Sequence, residues 1–301
     1  MPTTHTFLQI DAFTSEPLTG NACAVVFDAD DLDGKTMQAI AREMNLSETA
    51  FLRRSAVADF GARYFTPTVE IPLAGHPTIA VACALVSSGR LKLHEAETTF
   101  SLELPVGPIR VDVTKSATDS GFHEASMWQM QPVFGATYAA DEVLPIFGLS
   151  KADALPGAPV QTVSTGTLQL MLPLRDLAAL RRVQIDQPAL AAFCERTDNE
   201  FFSTHLFCPA GATKQGRTFA RHFTNPPGLF EDPFTGSATG GMGAYLWHHG
   251  LIDSPRFVAE QGHWMGRPGR ARVEVVGPPD AIQTVKVGGP AVVVLRGELL
   301  I

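Results

Sequence analysis

The sequence predicts an α+β protein made of two similar halves. Three observations support this fold class. Short apolar strands alternate with helices, one strand-turn-helix segment recurs in the second half of the chain, and 26 glycines and 22 prolines favour short strands joined by tight turns. The recurrence matters most, because self-similarity at long range determines architecture. A length of 301 residues is compatible with two domains.

The first third of the chain predicts strands and helices in succession. In order, the predicted elements are strands over residues 7–13 and 22–27, a helix over 35–44, strands over 49–53 and 62–65, and a helix that follows Pro77 and ends at Gly89. The first helix has apolar residues spaced i, i+3, i+4 and i+7 from Met37, with Asp33 and Asn45 as end signals. The apolar, β-branched run at 291–295 predicts a final strand that returns to a sheet.

A nine-residue segment occurs twice. Residues 70–78 (EIPLAGHPT) align with residues 231–239 (EDPFTGSAT), sharing Glu, Pro, Gly and Thr in register at an offset of 161 residues. Each copy leads into a predicted helix that ends at a glycine, which favours duplication over two unrelated strand-turn-helix joints. The boundary between the halves is expected in one of two stretches that are polar or rich in Pro and Gly, 115–121 or 155–159.

Charge and hydropathy argue against several classes of function. The net charge is −8 and the Lys/Arg clusters are no longer than doublets such as Arg53-Arg54, so the footprint of a nucleic-acid-binding protein is missing. The apolar stretch at 79–86 is far shorter than the ~18 residues of a membrane span. We therefore expect a cytoplasmic protein with no nucleic-acid or membrane partner, and with its four cysteines buried and reduced.

The sequence also lacks the motifs of common cofactor and metal sites. It contains no GxGxxG after a strand and no GxxxxGK[ST], which leaves nucleotide binding unsupported. His248-His249 lacks the i, i+4 spacing of a zinc-binding helix, and the other histidines are scattered. The expectation is a protein with no cofactor and no metal.

The two copies of the repeat place Gly75-His76 and Gly236-Ser237 at the first turn of a helix. Free backbone amides and the helix dipole attract an anion there, so two such starts facing one cleft would hold a small carboxylate-bearing substrate. Taken singly, each start is better explained as a capped helix without a ligand, because Pro77 and Ser237 are favoured residues at such positions.

Three side chains are candidates for acid-base chemistry. His76 titrates near neutral pH and suits proton donation, although a single histidine is more often structural. Asp232 is either a group that orients the substrate or a carboxylate in a turn. Glu48 enters an apolar strand, where burial would raise its pKa and suit it to move a proton at carbon. The residues alone slightly favour a surface turn for Glu48.

Five segments together resemble the phenazine-biosynthesis PhzF-like isomerase family. They are Asp11-Ala12-Phe13-Thr14 with Gly20-Asn21, Asn45-Leu46-Ser47-Glu48-Thr49, Phe65-Thr66-Pro67, Gly75-His76-Pro77-Thr78, and residues 231–238 (EDPFTGSA). The resemblance implies a diaminopimelate-epimerase-like fold of two pseudo-symmetric lobes, each a mixed sheet around a central helix, with the active site in the cleft between them. The expected lobes are 1–120, completed by a C-terminal strand near 291–301, and 121–290.

The resemblance also implies a function. The best-known member of the family isomerises trans-2,3-dihydro-3-hydroxyanthranilate without cofactor or metal, by moving a proton between ring carbons. Carried over position by position, its acid/base falls on Glu48. His76 and Asp232 become proton-transfer partners, and the substrate-binding positions become Gly75, Gly236 and Ser237. Because the family usually forms homodimers, we expect a homodimer.

The chain departs from the family's common pattern at Ala22 and Pro77, where many relatives have Pro and Ala, so the resemblance does not define the natural substrate. Two alternatives stay open. One is an epimerase or racemase of the same fold, which needs a second base opposite Glu48; its two-thiol form is disfavoured, because the helix starts carry His76 and Ser237 instead of cysteines. The other is a non-catalytic binding protein that kept the fold.

Overall fold

The computed structural model describes residues 3–93, 96–115, 123–226, 228 and 230–301. The chain divides into two compact units: unit 1 comprises residues 1–128 and 288–301, and unit 2 comprises residues 129–287. The lobe boundary predicted between residues 120 and 121 lies outside the described residues. The alternative boundary stretch, 155–159, lies inside unit 2 and is therefore not a linker.

Unit 1 contains ten strands and helices from the N-terminal part of the chain and most of the last strand. Their bounds are β1 Thr4–Ala12, β2 Asn21–Val26, α1 Gly34–Met44, β3 Glu48–Arg53, β4 Phe60–Phe65, β5 Glu70–Ile71, α2 Gly75–Ser87, β6 Glu97–Leu104, β7 Gly107–Lys115, β8 His123–Trp128 and β17 Thr284–Leu300. β17 begins in unit 2 and belongs to unit 1 from Gly288 onward.

The strands of unit 1 form a sheet that closes around α2. β17, β1 and β2 are antiparallel neighbours, as are β3 with β4 and β6, β7 and β8 in turn. β2–β3 and β4–β6 are parallel pairs, and β8 pairs with β17 to complete the ring. Residues 75–85 of α2 are all buried, because strands surround the helix. α1 buries only the face that carries Met37, Ile40 and Ala41.

The sequence prediction for α1 is confirmed, including both ends. Asp33 accepts a hydrogen bond from the backbone N–H of Thr36 at 2.7 Å, and Asn45 ends the helix in the left-handed conformation with φ 49°. The prediction that Gly75-His76 lies in the first turn of a helix is confirmed, because α2 begins at Gly75, whereas the prediction that this helix starts after Pro77 is wrong by three residues. Proline fits inside a first helical turn, where its missing N–H would have no partner within the helix.

Unit 2 contains eight strands of its own and four helices. Their bounds are β9 Val133–Tyr138, α3 Ala140–Val143, β10 Val160–Ser164, β11 Leu168–Pro173, α4 Leu177–Arg181, α5 Gln187–Arg196, β12 Ser203–Cys208, β13 Thr218–Thr224, β14 Glu231–Asp232, α6 Gly236–His248, β15 Arg256–Gln261 and β16 Gly269–Val276.

The sheet of unit 2 has the same alternation of parallel and antiparallel pairs. β9, β10 and β11 are antiparallel neighbours, as are β12 with β13 and β15 with β16. β11–β12 and β13–β15 are parallel pairs. α6 packs against β10, β11 and β16, and its residues 236–246 are all buried. Side chains of α4 and α5 join a second apolar core with others from the strands.

The sequence repeat corresponds to equivalent local structure in the two units. α2 and α6 each span 13 residues and each follow an antiparallel pair, β4–β5 or β13–β14. Each pair is held by a bidentate ion pair: Arg63 donates to Glu70 at 2.7 and 2.6 Å, and Arg221 donates to Glu231 at 2.8 Å twice. Both arginines lie outside the aligned segments, so these contacts support duplication independently.

Three further observations concern classes of site. Within the described part of the chain, no helix is long and apolar enough to cross a bilayer. No group of three or more His, Cys, Asp or Glu side chains is placed to hold a metal ion among the described residues. The four cysteines are free and buried, as predicted from their apolar sequence context.

Candidate active site

Glu48 is the first residue of β3 and follows the end of α1 closely. The left-handed turn at Asn45 redirects the chain from the helix into the strand. Glu48 then pairs with Cys23 of the parallel strand β2. Its side chain is only 17% exposed, so it is not a solvent-exposed turn residue. The fold therefore places a largely buried carboxylate at the start of an apolar strand.

His76 is the second residue of α2, and its side chain is 3% exposed. Its Nε2 lies 3.1 Å from Oε2 of Glu48, and its Nδ1 lies 3.1 Å from Nδ2 of Asn21. The side-chain amide of Asn21 thus contacts one ring nitrogen, and the other ring nitrogen faces the carboxylate. The contact between Nε2 and Oε2 is short but not aligned as a hydrogen bond, a common arrangement in ligand-free sites.

The electrostatics of this pair follow from burial. Burial lowers the pKa of His76 to about 3, while a hydrogen bond with the backbone of Ala22 acts in the opposite direction. The imidazole is therefore neutral at pH 7 and offers a hydrogen-bond donor, not a positive charge. Burial, and to a lesser extent the charge of Glu48, raises the pKa of the Cys23 thiol well above its usual value. Cys23 is consequently a neutral thiol and a poor second base.

Asn21 connects the two halves of the pair. Its Oδ1 accepts a hydrogen bond from Oγ of Ser47 at 3.2 Å, and its Nδ2 contacts His76. One buried amide thus holds both the residue before Glu48 and the imidazole beside it. Asn21 and Ser47 occur within the family motifs, but the sequence indicates no role for either, because isolated polar residues form no local pattern.

A second group of predicted site residues lies in unit 2. Asp232 ends β14 and is 6% exposed; its Oδ2 accepts a hydrogen bond from the hydroxyl of Thr235. Nε2 of Gln261 donates to the backbone oxygen of Asp232 at 2.7 Å, and Oε1 of Gln261 accepts from the backbone N–H of Thr235 at 3.2 Å. These contacts fix a buried carboxylate on the short loop that leads into α6.

Polar side chains from neighbouring strands hold the first turn of α6. Oγ of Ser237 accepts a hydrogen bond from Nε2 of Gln169 at 3.2 Å. The backbone oxygen of Gly236 accepts from Nε2 of Gln129 at 2.9 Å, and Thr165 donates to Oε1 of Gln129 at 2.6 Å. Sequence reasoning missed both glutamines, because a single glutamine in a strand carries no spacing signal.

The two repeated helices differ from α1, α4 and α5 in how they begin. The helices α1, α4 and α5 each start with an aspartate whose side chain caps a backbone N–H: Asp33, Asp176 and Asp186. The residues at the same position of α2 and α6, Ala74 and Thr235, provide no side-chain cap. The explanation of these two starts as capped helices is therefore wrong in one respect, because neither start has a side-chain cap.

The structure sorts the predicted site residues into two groups. It brings Glu48, Gly75 and His76 together in unit 1, and gathers Asp232, Gly236 and Ser237 in unit 2. That both groups act on one substrate stays a prediction.

The chain has clear relatives among known proteins. The model of the PhzC-PhzF family, described as phenazine biosynthesis-like protein, matches residues 10–297. The chain is 35% identical over 301 residues to YddE, an uncharacterized isomerase of Escherichia coli K12, covering 96% of each chain. It is 34% identical over 299 residues to the trans-2,3-dihydro-3-hydroxyanthranilate isomerase of Pseudomonas chlororaphis, covering 99% of this chain and 100% of that relative.

Solved structures agree with the sequence relatives. The crystal structure of a PhzF-family phenazine biosynthesis protein from Bacillus anthracis matches with a TM-score of 0.86 at 30% identity, covering 99% of this chain and 100% of that chain. The mixed α+β fold is thus the fold of PhzF-family structures. The chain therefore belongs to the PhzC-PhzF family of phenazine biosynthesis-like proteins and is an isomerase of that family.

Proposed function

We propose that this isomerase moves a proton within a small amino- or hydroxy-carboxylate without a cofactor, and that Glu48 is its general acid/base. The observation that carries the proposal is the pair in unit 1, where Oε2 of Glu48 lies 3.1 Å from Nε2 of His76. A largely buried carboxylate beside a neutral imidazole is suited to take a proton from carbon and to return it.

The proposed mechanism needs one base. Glu48 removes a proton from one carbon of the substrate and, now protonated, delivers it to another carbon on the same face. In the tautomer that carries the ring hydrogen on Nε2, His76 donates a hydrogen bond to the substrate as negative charge develops. Asn21 holds the imidazole in place beside Glu48 through its contact with Nδ1.

The remaining predicted residues are proposed to bind the substrate. Backbone amides at the uncapped starts of α2 and α6, at Gly75 and Gly236, suit a carboxylate. Ser237 offers a hydroxyl, and Asp232 a buried carboxylate for an amine. The substrate named for the Pseudomonas chlororaphis relative, a hydroxyanthranilate derivative, carries both a carboxylate and an amine, which supports this division of roles.

The test is proton exchange in D₂O followed by NMR. Trans-2,3-dihydro-3-hydroxyanthranilate and a panel of small cyclic and linear amino acids would be offered to wild type, Glu48→Gln and the control Glu43→Gln, which changes an exposed glutamate of α1. We expect deuterium incorporation or isomerisation by wild type and the control, reduced by about 10³-fold in Glu48→Gln.

Each other outcome has a distinct meaning. Equal rates in wild type and Glu48→Gln contradict the role of Glu48. Inversion at an α-carbon identifies the epimerase or racemase alternative, and binding of a ligand without turnover identifies the binding-protein alternative. Sedimentation of the pure protein tests the expected homodimer separately.

A further inference from the structure

A cavity of about 280 Å³ lies in unit 1 beside the end of β3 that is distant from Glu48. We call it the Arg53 pocket. Its lining includes three arginines, one glutamate and small or apolar residues, chiefly Arg53, Arg54, Arg63, Glu103, Gly61 and Leu104. The proposed reaction uses none of these charged side chains.

The strand register explains why the pocket exists. Arg53 of β3 pairs with Gly61 of β4, and Gly61 pairs with Glu103 of β6. Paired residues on neighbouring strands point to the same face, so Arg53 and Glu103 stand on either side of a position with no side chain. A Cβ at position 61 would approach the backbone oxygen of Arg54 to 3.0 Å, which leaves little room for any other residue there.

The three arginines differ in how far their charge is already compensated. Arg63 makes the bidentate ion pair with Glu70, and Arg54 is 89% exposed with its Nε 3.5 Å from Asp30. Arg53 forms no hydrogen bond or ion pair with the described residues, and its Nε is buried without a partner. A buried donor on a charged group is costly when it is left unsatisfied, so this guanidinium favours an acidic ligand.

Glu103 gives the opposite wall of the pocket a negative charge. Its Oε2 accepts a hydrogen bond from Oγ of Ser55 at 2.5 Å, which fixes the carboxylate. Among the described residues, Glu103 forms no ion pair with Arg53. The pocket therefore presents a cation and an anion that face the same gap without neutralising each other.

We propose that the Arg53 pocket binds the zwitterionic group of a free α-amino acid, with its carboxylate on Arg53 and its ammonium on Glu103. Two strand spacings separate the supporting backbones by about 9.5 Å. When a hydrogen bond of about 3 Å to each of the two charged groups is subtracted, the width that remains between them suits the backbone of one amino acid. The planar guanidinium binds carboxylates well because it donates two parallel hydrogen bonds.

This site is separate from the proposed active site. Glu48 and Arg53 occupy opposite ends of β3, about 17 Å apart at the rise of an extended strand. Amino acid binding at the Arg53 pocket can therefore be tested independently of the role of Glu48.

A second cavity in unit 1 provides a matched control. It has a volume of about 320 Å³ and is lined by Arg90, Arg296 and the end of α2 at Ser87 and Ser88, among others. Arg90 already makes a bidentate ion pair with Asp28, and the carbonyl end of a helix disfavours anions. We expect no amino acid binding there.

The test is an NMR titration of the ¹⁵N-labelled protein with L-alanine, propionate and ethylamine, which separate the zwitterion from its two charges. L-Alanine is expected to shift the backbone amides of Gly61 and Glu103, and each single-charge analogue to bind at least about tenfold more weakly. Arg53→Gln and Glu103→Gln are each expected to weaken L-alanine binding at least about tenfold, and Arg296→Gln to leave it unchanged.

Three results would overturn the proposal. They are no shift at these amides up to about 50 mM L-alanine, the same shifts in Arg53→Gln as in wild type, and propionate binding as tightly as L-alanine without any effect of Glu103→Gln. Dispersed amide spectra of each variant establish that it is folded, and Arg53→Lys tests whether the charge alone suffices.

Discussion

The two central helices begin in the same way but present different chemistry. In unit 1 the second helical residue is His76, and the first residue of the adjacent strand is Glu48. In unit 2 the equivalent positions are Ser237 and Ser203, since Ser203 pairs with β11 as Glu48 pairs with β2. Only unit 1 therefore holds an acid-base pair at this place, and duplication supplied a scaffold whose two copies took different roles.

The carboxylates of the two units come from different strands. Unit 2 has Asp232 in β14, where unit 1 has Ile71 in β5. The supporting ion pairs, Arg63–Glu70 and Arg221–Glu231, are the same in both. The strand pair and the ion pair beside each helix start are therefore the same in both units, whereas the polar residues that these strands carry differ.

The largest effect is expected from moving the Glu48 carboxylate. Glu48→Asp withdraws the carboxylate by one methylene and is expected to lower kcat/KM by about 10²-fold, because proton transfer depends on position. Ser203→Ala, a change at the equivalent position of unit 2, is expected to alter kcat/KM less than about twofold, since Oγ of Ser203 has no hydrogen-bond partner among the described residues. Steady-state kinetics on the substrate found in D₂O compares them. Equal losses in both variants would end the distinction between the units.

The second residues of the two helices are expected to affect different kinetic constants. His76→Gln removes the donor beside Glu48 and is expected to lower kcat about tenfold or more. Ser237→Ala removes a proposed substrate contact and is expected to raise KM about tenfold with a smaller change in kcat. The reverse pattern would exchange the roles assigned to the two helix starts.

Acid is expected to destabilise unit 2 more than unit 1, because two buried histidines with lowered pKa values face each other in unit 2, whereas in unit 1 the buried histidine with a lowered pKa is His76. His205 and His222 face each other across β12 and β13, with their Nδ1 atoms 3.2 Å apart, where unit 1 has Ala50 and Tyr64. Burial lowers the pKa of His222 to about 3, and burial together with the charge of His222 lowers that of His205.

The sign follows from the unfolded pKa of about 6.5. Above that value the histidine is neutral in both the folded and the unfolded state, so its titration does not lower stability. As the pH falls from there towards the folded pKa, only the unfolded state gains the proton, and the free energy of unfolding decreases. For a folded pKa of about 3, the loss from pH 7 to pH 5 is roughly 2 kcal/mol. Urea unfolding at both pH values measures it, and the double variant His205→Ala/His222→Tyr should remove part of the acid sensitivity. An unchanged pH dependence would show that these histidines are not its source.

The smallest effects concern the shared frame. Glu70→Gln and Glu231→Gln each break a partly buried bidentate ion pair, and each is expected to lower the free energy of unfolding by about 1 kcal/mol. Chemical denaturation of the two variants should give similar values. A difference of more than about 1 kcal/mol would mean that the two strand pairs are less equivalent than their contacts indicate.

Local patterns predicted the parts of the fold that have one polar and one apolar face. α1 was predicted with both ends because Asp33 and Asn45 mark them and its apolar residues follow one face. α2 is buried on all sides, so its start carries no periodicity; the repeat predicts Gly75 in the first turn, whereas the pattern of elements alone predicts a start three residues too late. The closure of the sheet around α2 depends on pairings between distant strands, which no local pattern encodes.

The candidate site was predicted to a similar extent. Glu48 and His76 were identified from family motifs, and the short distance between them came only from the structure. Gln129 and Gln169 were missed, because their function depends on which strand lies beside α6. The doublet Arg53-Arg54 was visible in the sequence, but the pocket it lines requires the register that places Gly61 beside Glu103.

The closed sheet of unit 1 has a consequence for biosynthesis. β1 and β17 are paired along their length, and the backbones of Thr3 and Ile301 exchange two hydrogen bonds at 2.6 and 2.9 Å. A ribosome makes β17 only after all of unit 2, so unit 2 has its complete chain while the ring around α2 is still open. The contact between Glu48 and His76 thus lies in the unit whose sheet can close only after the chain of unit 2 has been synthesised.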